Sequence, residues 1–129
     1  MSNNYTVYLD NIKIGSTDLE NADAPMGVVF GVIKFLNSDF DYTFLKEYCI
    51  KNKVDLANDY PEDKLISTSN MSQLTIINKV GIEISGIGNQ ITIMGGEESE
   101  ISIQGIPYPF YEEEFPHHVK EYNEMFKEK

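Results

Sequence analysis

The chain has 129 residues, 41% hydrophobic and 24% charged, which is one globular domain's worth of polypeptide spanning 1–129. Its ten basic residues are all lysine and face twenty-one acidic ones, for a net charge of −11; that field, without a single arginine, speaks against nucleic acid or an anionic membrane as partner. Cys49 has no second cysteine to bridge to, no apolar run approaches the ~20 residues of a membrane span, and Met1–Asn4 carries neither a basic nor an apolar leader stretch, so the expected compartment is the cytosol.

Tyr5-Thr6-Val7-Tyr8-Leu9 alternates, Asp10-Asn11 is a turn pair, and Ile12-Lys13-Ile14 resumes the alternation. This predicts a β-hairpin. Ser16 to Met26 is polar and reads as a surface loop. Gly27 to Leu36 is nearly continuous in β-branched and aromatic residues, as in a strand covered on both faces, with Gly31 marking a bulge or a close backbone approach. Asp39 or Asp41 caps a helix over about 42–52, whose stripe is Phe44, Leu45, Tyr48 and Cys49. Residues 54–72 read as loop, with a short strand at 64–68.

Leu74–Ile77, Ile82–Ser85, Gln90–Ile93 and Glu100–Gln104 are short alternating segments separated by turn-forming stretches. That spacing predicts an antiparallel meander over 74–104, dry on one face and wet on the other. Ile106 to Tyr111 holds Pro107 and Pro109 and reads as extended chain. Pro116 opens a last helix with the stripe Phe115, Val119, Tyr122 and Phe126, leaving His117, His118, Glu121 and Glu124 off it. The predicted architecture is α+β: two layers, an antiparallel sheet of five to seven strands with two helices packed on one face.

Acids concentrate near the end. Glu97 to Lys129 holds nine glutamates and three lysines, a net of −6. The densest piece is Tyr108-Pro109-Phe110-Tyr111-Glu112-Glu113-Glu114-Phe115. A solvated helix entrance accounts for such a run. A partner-binding patch accounts for it too, with Tyr108, Phe110 and Tyr111 as anchors and Glu112, Glu113 and Glu114 steering a basic target. His117, Glu121 and Glu124 share a helix face at spacings of 4 and 3 and are weak metal candidates; adjacent imidazoles at 117 and 118 point about 100° apart and do not readily share one ion. Otherwise no metal and no cofactor is expected. Catalytic residues are not expected either: there is no Gly-x-Ser-x-Gly elbow, Gly86 and Gly88 lack a third glycine, and Cys49 on an apolar stripe reads as an inert thiol.

An acidic, arginine-free domain of this size without a nucleophile or phosphate cradle resembles the small immunity proteins of bacterial toxin systems, including contact-dependent inhibition. The resemblance is one of class and rests on no shared motif. It implies a protein that is not an enzyme and that neutralises one cognate basic toxin, often a nuclease, by covering its active site or a substrate surface. Separately, a charge of −11 opposes self-pairing of a sheet edge, so the unbound chain is expected to be a monomer. The meander's edge offers a second route to the partner, by strand addition. The alternative reading is a small enzyme or ligand-binding domain, which requires a pocket lined by Tyr and Phe with convergent Glu or His.

Overall fold

The computed structural model describes residues 5–95 and 98–127. Alternating side chains at the start build the predicted hairpin: β1 (Tyr5–Leu9) pairs antiparallel with β2 (Ile12–Thr17), Leu9 opposite Ile12, across the Asp10-Asn11 turn. β3 (Asn21–Asp23) follows, then a single 3-10 turn and β4 (Val28–Phe35). α1 (Tyr42–Asn52) crosses to β5 (Leu56–Tyr60) and β6 (Leu65–Thr68). β7 (Leu74–Ile77), β8 (Gly88–Ile93) and β9 (Glu100–Gln104) complete the strands. α2 (Phe110–Glu114) and α3 (Pro116–Lys127) complete the helices.

All the strand pairings are antiparallel and run in the order β5-β6-β8-β9-β4-β2-β1-β7, with β3 paired to β4 off that path. The α+β class and the antiparallel sheet are as the sequence predicts. The count differs, at nine strands and three helices among the described residues. Two of the extra strands come from segments read as loop. Asn21–Asp23 pairs with Val28–Phe30, and Leu56–Tyr60 pairs with Leu65–Thr68 around Pro61. Short, polar edge strands carry no alternation strong enough to betray them. Pro109 is followed directly by helix, because Tyr111 N donates to the Pro107 carbonyl and Glu113 N to that of Pro109.

The meander is only half realised. β8 and β9 form a hairpin, but β7 leaves it to pair with β1. Ile82–Ser85 makes a single bridge, Ile77 opposite Glu83. Asn78 explains why: its Oδ1 accepts from Val80 N and Ile82 N, and this closes a tight turn that returns the chain onto β7. Gly86 then passes so close to the Gln104 carbonyl that a Cβ there would overlap it. The sheet is open but curled, and Asn89 Nδ2 reaches from β8 to the Leu74 carbonyl of β7 at 2.7 Å.

One core fills the interior. Val7, Leu9, Ile14, Val29, Ile33, Ile66, Ile76, Ile91, Ile101 and Ile103 come from the strands, Leu45 and Cys49 from α1, and Tyr111 and Phe115 from the α2 segment. β4 buries Val29, Gly31 and Ile33 while Val28, Phe30 and Val32 stay half-buried and Lys34 is exposed, so it is covered fully on one face rather than on both. Gly31 marks a close approach: the Glu20 carboxylate lies against it and accepts from Val32 N at 3.0 Å. No helix among the described residues is long and apolar enough to cross a membrane.

Candidate functional site

The aromatic–acidic run folds quite differently from an exposed patch. Tyr111 is 0% exposed. Its hydroxyl donates to the Val28 carbonyl at 3.0 Å, and its ring packs 5.2 Å from Tyr108 and 5.3 Å from Phe115. Burial, helped by nearby Tyr108 and Asp23, pushes its pKa up to about 12. Tyr111 is therefore a core residue and cannot anchor a partner. Phe110 is half-buried against the same core.

Glu114 turns inward as well. Its Oε2 accepts from Tyr5 Oη at 2.9 Å and its Oε1 from Asn78 Nδ2 at 3.0 Å, so one carboxylate ties α2 to β1 and to the turn after β7. Tyr5 is held protonated far above the ordinary phenol range, first by burial and then by this carboxylate. Of the three glutamates, Glu112 and Glu113 remain exposed. Tyr108 is 49% exposed, its hydroxyl donating to the Ala24 carbonyl at 2.9 Å.

The second departure is His118. Predicted to lie off the apolar stripe, it is 5% exposed, and its Nε2 donates to the Leu19 carbonyl at 2.8 Å. Leu19 has φ of 45° and is itself buried, so the loop after β2 is pinned by α3. The sequence does hold a signal for this, because Phe115, His118, Tyr122 and Met125 repeat at 3, 4 and 3. His117 stays exposed; its pKa is lowered by partial desolvation and by His118, with Glu121 opposing. His117, Glu121 and Glu124 are not gathered into a cluster, and no group of three or more His, Cys, Asp or Glu among the described residues is placed to hold a metal. The thiol of Cys49 is buried and raised to about 11 by desolvation, which leaves it protonated and unreactive at neutral pH.

What the fold assembles instead is a cleft of about 510 Å³ between β3 and α3. Glu20, Asn21, Ala22 and Asp23 line one side, and His118, Glu121, Tyr122 and Met125 the other, with Phe30 from β4 and Ala24 adding apolar surface. Among the described residues three carboxylates and no lysine line it. A second, shallower hollow of about 480 Å³ shares Asp23 and is lined by Met26, Val28, Ile87, Gln104 and Gly105. The side chains of Met26, Ile87 and Met125 are 67%, 81% and 66% exposed. Tyr108 is tied to the rim of the first cleft through its hydrogen bond to the Ala24 carbonyl. The two hollows meet at Asp23, with the carboxylates of Glu20 and Glu121 on the side of the first and the apolar side chains of Met26, Val28 and Ile87 on the side of the second. Phe126 belongs to α3, but its side chain lies outside the described residues.

The edge expected of the meander is not available. β8 and β9 are interior strands, and the outer side of β7 takes the bridge to Glu83. Compared with protein-family models, curated proteins and solved structures, the chain matches none.

Proposed function

We propose that the chain is a protein-binding module of the immunity class, which neutralises a cognate basic toxin domain, such as a nuclease, by covering its active site or substrate surface. The observation that carries this reading is the face around Asp23. Exposed Met26, Tyr108 and Met125 supply contact area, Asp23, Glu20 and Glu121 supply negative potential, and among the described residues no lysine lines the cleft to offset it. Exposed apolar groups ringed by charge of one sign are the composition of a recognition surface. The potential of a −11 chain raises the encounter rate with a cationic domain. The Tyr108 pKa is raised by burial and then by Glu112, which is exposed and extends the same field, and Glu113 beside it in sequence is exposed as well.

A second reading, a small enzyme or ligand-binding domain, draws on His118 and Glu121 lining the cleft. The chemistry disfavours it. His118 is only 5% exposed and its Nε2 ties the loop after β2 to α3, while Glu20 Oε2 holds Val32 N, so both side chains have a structural role that accounts for their positions. The test is co-expression with a basic nuclease-like domain encoded beside this chain. The expected result is a co-purifying one-to-one complex in which nuclease activity is suppressed and association slows as salt is raised. Failure to bind any such domain, or suppression at a rate indifferent to salt, overturns the proposal.

A further inference from the structure

Among the described residues the outer side of β7 takes the bridge to Glu83, whereas β5 and β3 each keep a side paired to no strand, and these two are not equivalent. β5 ends the sheet path, but its pairing with β6 is interrupted by a register shift between Leu56 and Asn58. Its Asp59 accepts from the Tyr42 hydroxyl and pairs with Lys46 Nζ at 3.1 Å, so α1 holds it. Bulges and inward ties of this kind are how edges are closed to other chains. β3 lacks these protections. It pairs with β4 in regular register, its other edge meets no strand among the described residues, and Asn21, Ala22 and Asp23 are all exposed.

That open edge forms a wall of the acidic cleft. Resting on the protein-binding reading above, we infer that an extended basic segment of the partner docks between β3 and α3 by adding a strand along β3. A three-residue edge supplies on the order of two main-chain hydrogen bonds, which give direction but little affinity. Side chains supply the remainder. Strand geometry sends alternate residues of the added segment to opposite faces. The register with β4 puts Asn21, Asp23, Val28 and Phe30 on one face of the sheet. The lysines or arginines of one set therefore meet the carboxylates of Asp23 and Glu121 and lay their aliphatic stems on Phe30 and Met125, while the other, apolar set turns to the face of Ala22. Charge selects the occupant: an acidic or neutral segment would meet the carboxylates of Glu20, Asp23 and Glu121 without a compensating cation.

The experiment titrates the isotope-labelled full chain with a synthetic peptide alternating lysine and valine, and with the same peptide carrying one central proline. The expected result is amide shifts and slowed exchange confined to residues 20–24 and 118–125. The proline peptide, equal in charge but unable to pair as a strand, is expected to bind about tenfold more weakly. Asp23→Lys combined with Glu121→Lys is expected to weaken the valine peptide by about tenfold or more while leaving the remaining amide spectrum unchanged. Shifts scattered over the acidic surface, shifts centred on Glu112 and Glu113, or equal binding of the two peptides overturn strand addition. If a toxin complex forms and the double variant binds it unimpaired, the docking site fails and the protein-binding function stands. If the peptide docks as described and no basic domain is ever captured, the function fails and the site stands.

Discussion

Glycine 31 shows how one missing side chain organises the face where β3 begins. β4 pairs with β2 through residues 33–35 and with β3 through 28–30, and the Glu20 carboxylate fills the space between, accepting from Val32 N. A methyl group at 31 displaces that carboxylate. Gly31→Ala is expected to cost about 0.5–1.5 kcal/mol in denaturant unfolding, the net worth of a hydrogen bond whose amide water can reach once the carboxylate is displaced. Glu20→Ala is expected to cost a similar amount, and the double variant less than the sum, because both remove the same contact. Strict additivity would separate Glu20 from Gly31. Tyr111 makes a different point. An unfolded tyrosine releases its proton near 10.0, whereas this one is held to about 12 by burial. Its folded pKa lies above the unfolded one, so its contribution is complete below pH 10 and is lost as pH rises toward 12. Tyr111→Phe removes the bond to the Val28 carbonyl, is expected to cost about 1 kcal/mol at neutral pH, and makes the alkaline decline shallower. A decline of unchanged steepness would assign it to other tyrosines. Nothing in the sequence separates this buried Tyr111 from exposed Tyr108, since both follow a proline by one or two positions in the same aromatic run.

Helix α1 is the element whose ends are most fully specified. Asp41 is extended and its carboxylate accepts from Phe44 N at 3.0 Å, while Lys53 closes the other end with φ of 56° and ψ of 41°. Asp41→Ala is expected to lower stability by about 1 kcal/mol through the lost cap. Lys53→Gly is expected to raise it by roughly 0.5 kcal/mol, relief of the left-handed conformation outweighing the added freedom of the unfolded chain. Thermal melts of the two variants moving the same way would break this account. This helix, the β1–β2 hairpin, β4 and α3 could all be read from the chain because each announces itself locally, by cap, turn pair or apolar stripe. Ile82–Ser85 misleads for the complementary reason. Its alternation matches that of 91–93 and 101–103, but whether a segment finds a partner strand depends on the Asn78 turn and on the close pass of Gly86 beneath Gln104. β3 and β5 are legible only through the strands they pair with.

The proposed interaction face lies beyond any local pattern, because it joins the loop after β2, the 3-10 turn before β4 and the middle of α3. The acidic run around Glu112 points toward it, yet fixes neither its centre nor which glutamates remain exposed. Net charge, by contrast, is fully visible in the composition, and it makes two effects of salt run in opposite directions. Twenty-one acids against ten lysines repel across a small domain, and that repulsion acts on the folded state more than on the expanded unfolded one. The Debye length falls from about 30 Å at 0.01 M salt to about 10 Å at 0.1 M. Raising potassium chloride across that range is therefore expected to increase the melting temperature of the isolated chain by about 2–5 °C, equivalent to roughly 1 kcal/mol or less for a domain of this size. The same increase is expected to slow association with a basic partner, because the field that strains the free protein is the one that draws the partner in. Parallel melts and association rates over one salt series measure both. A melting temperature that falls with salt would mean that local pairs such as Lys46–Asp59, 3.1 Å apart, outweigh the net repulsion. The long-range field would then no longer be available to explain capture of a cationic domain.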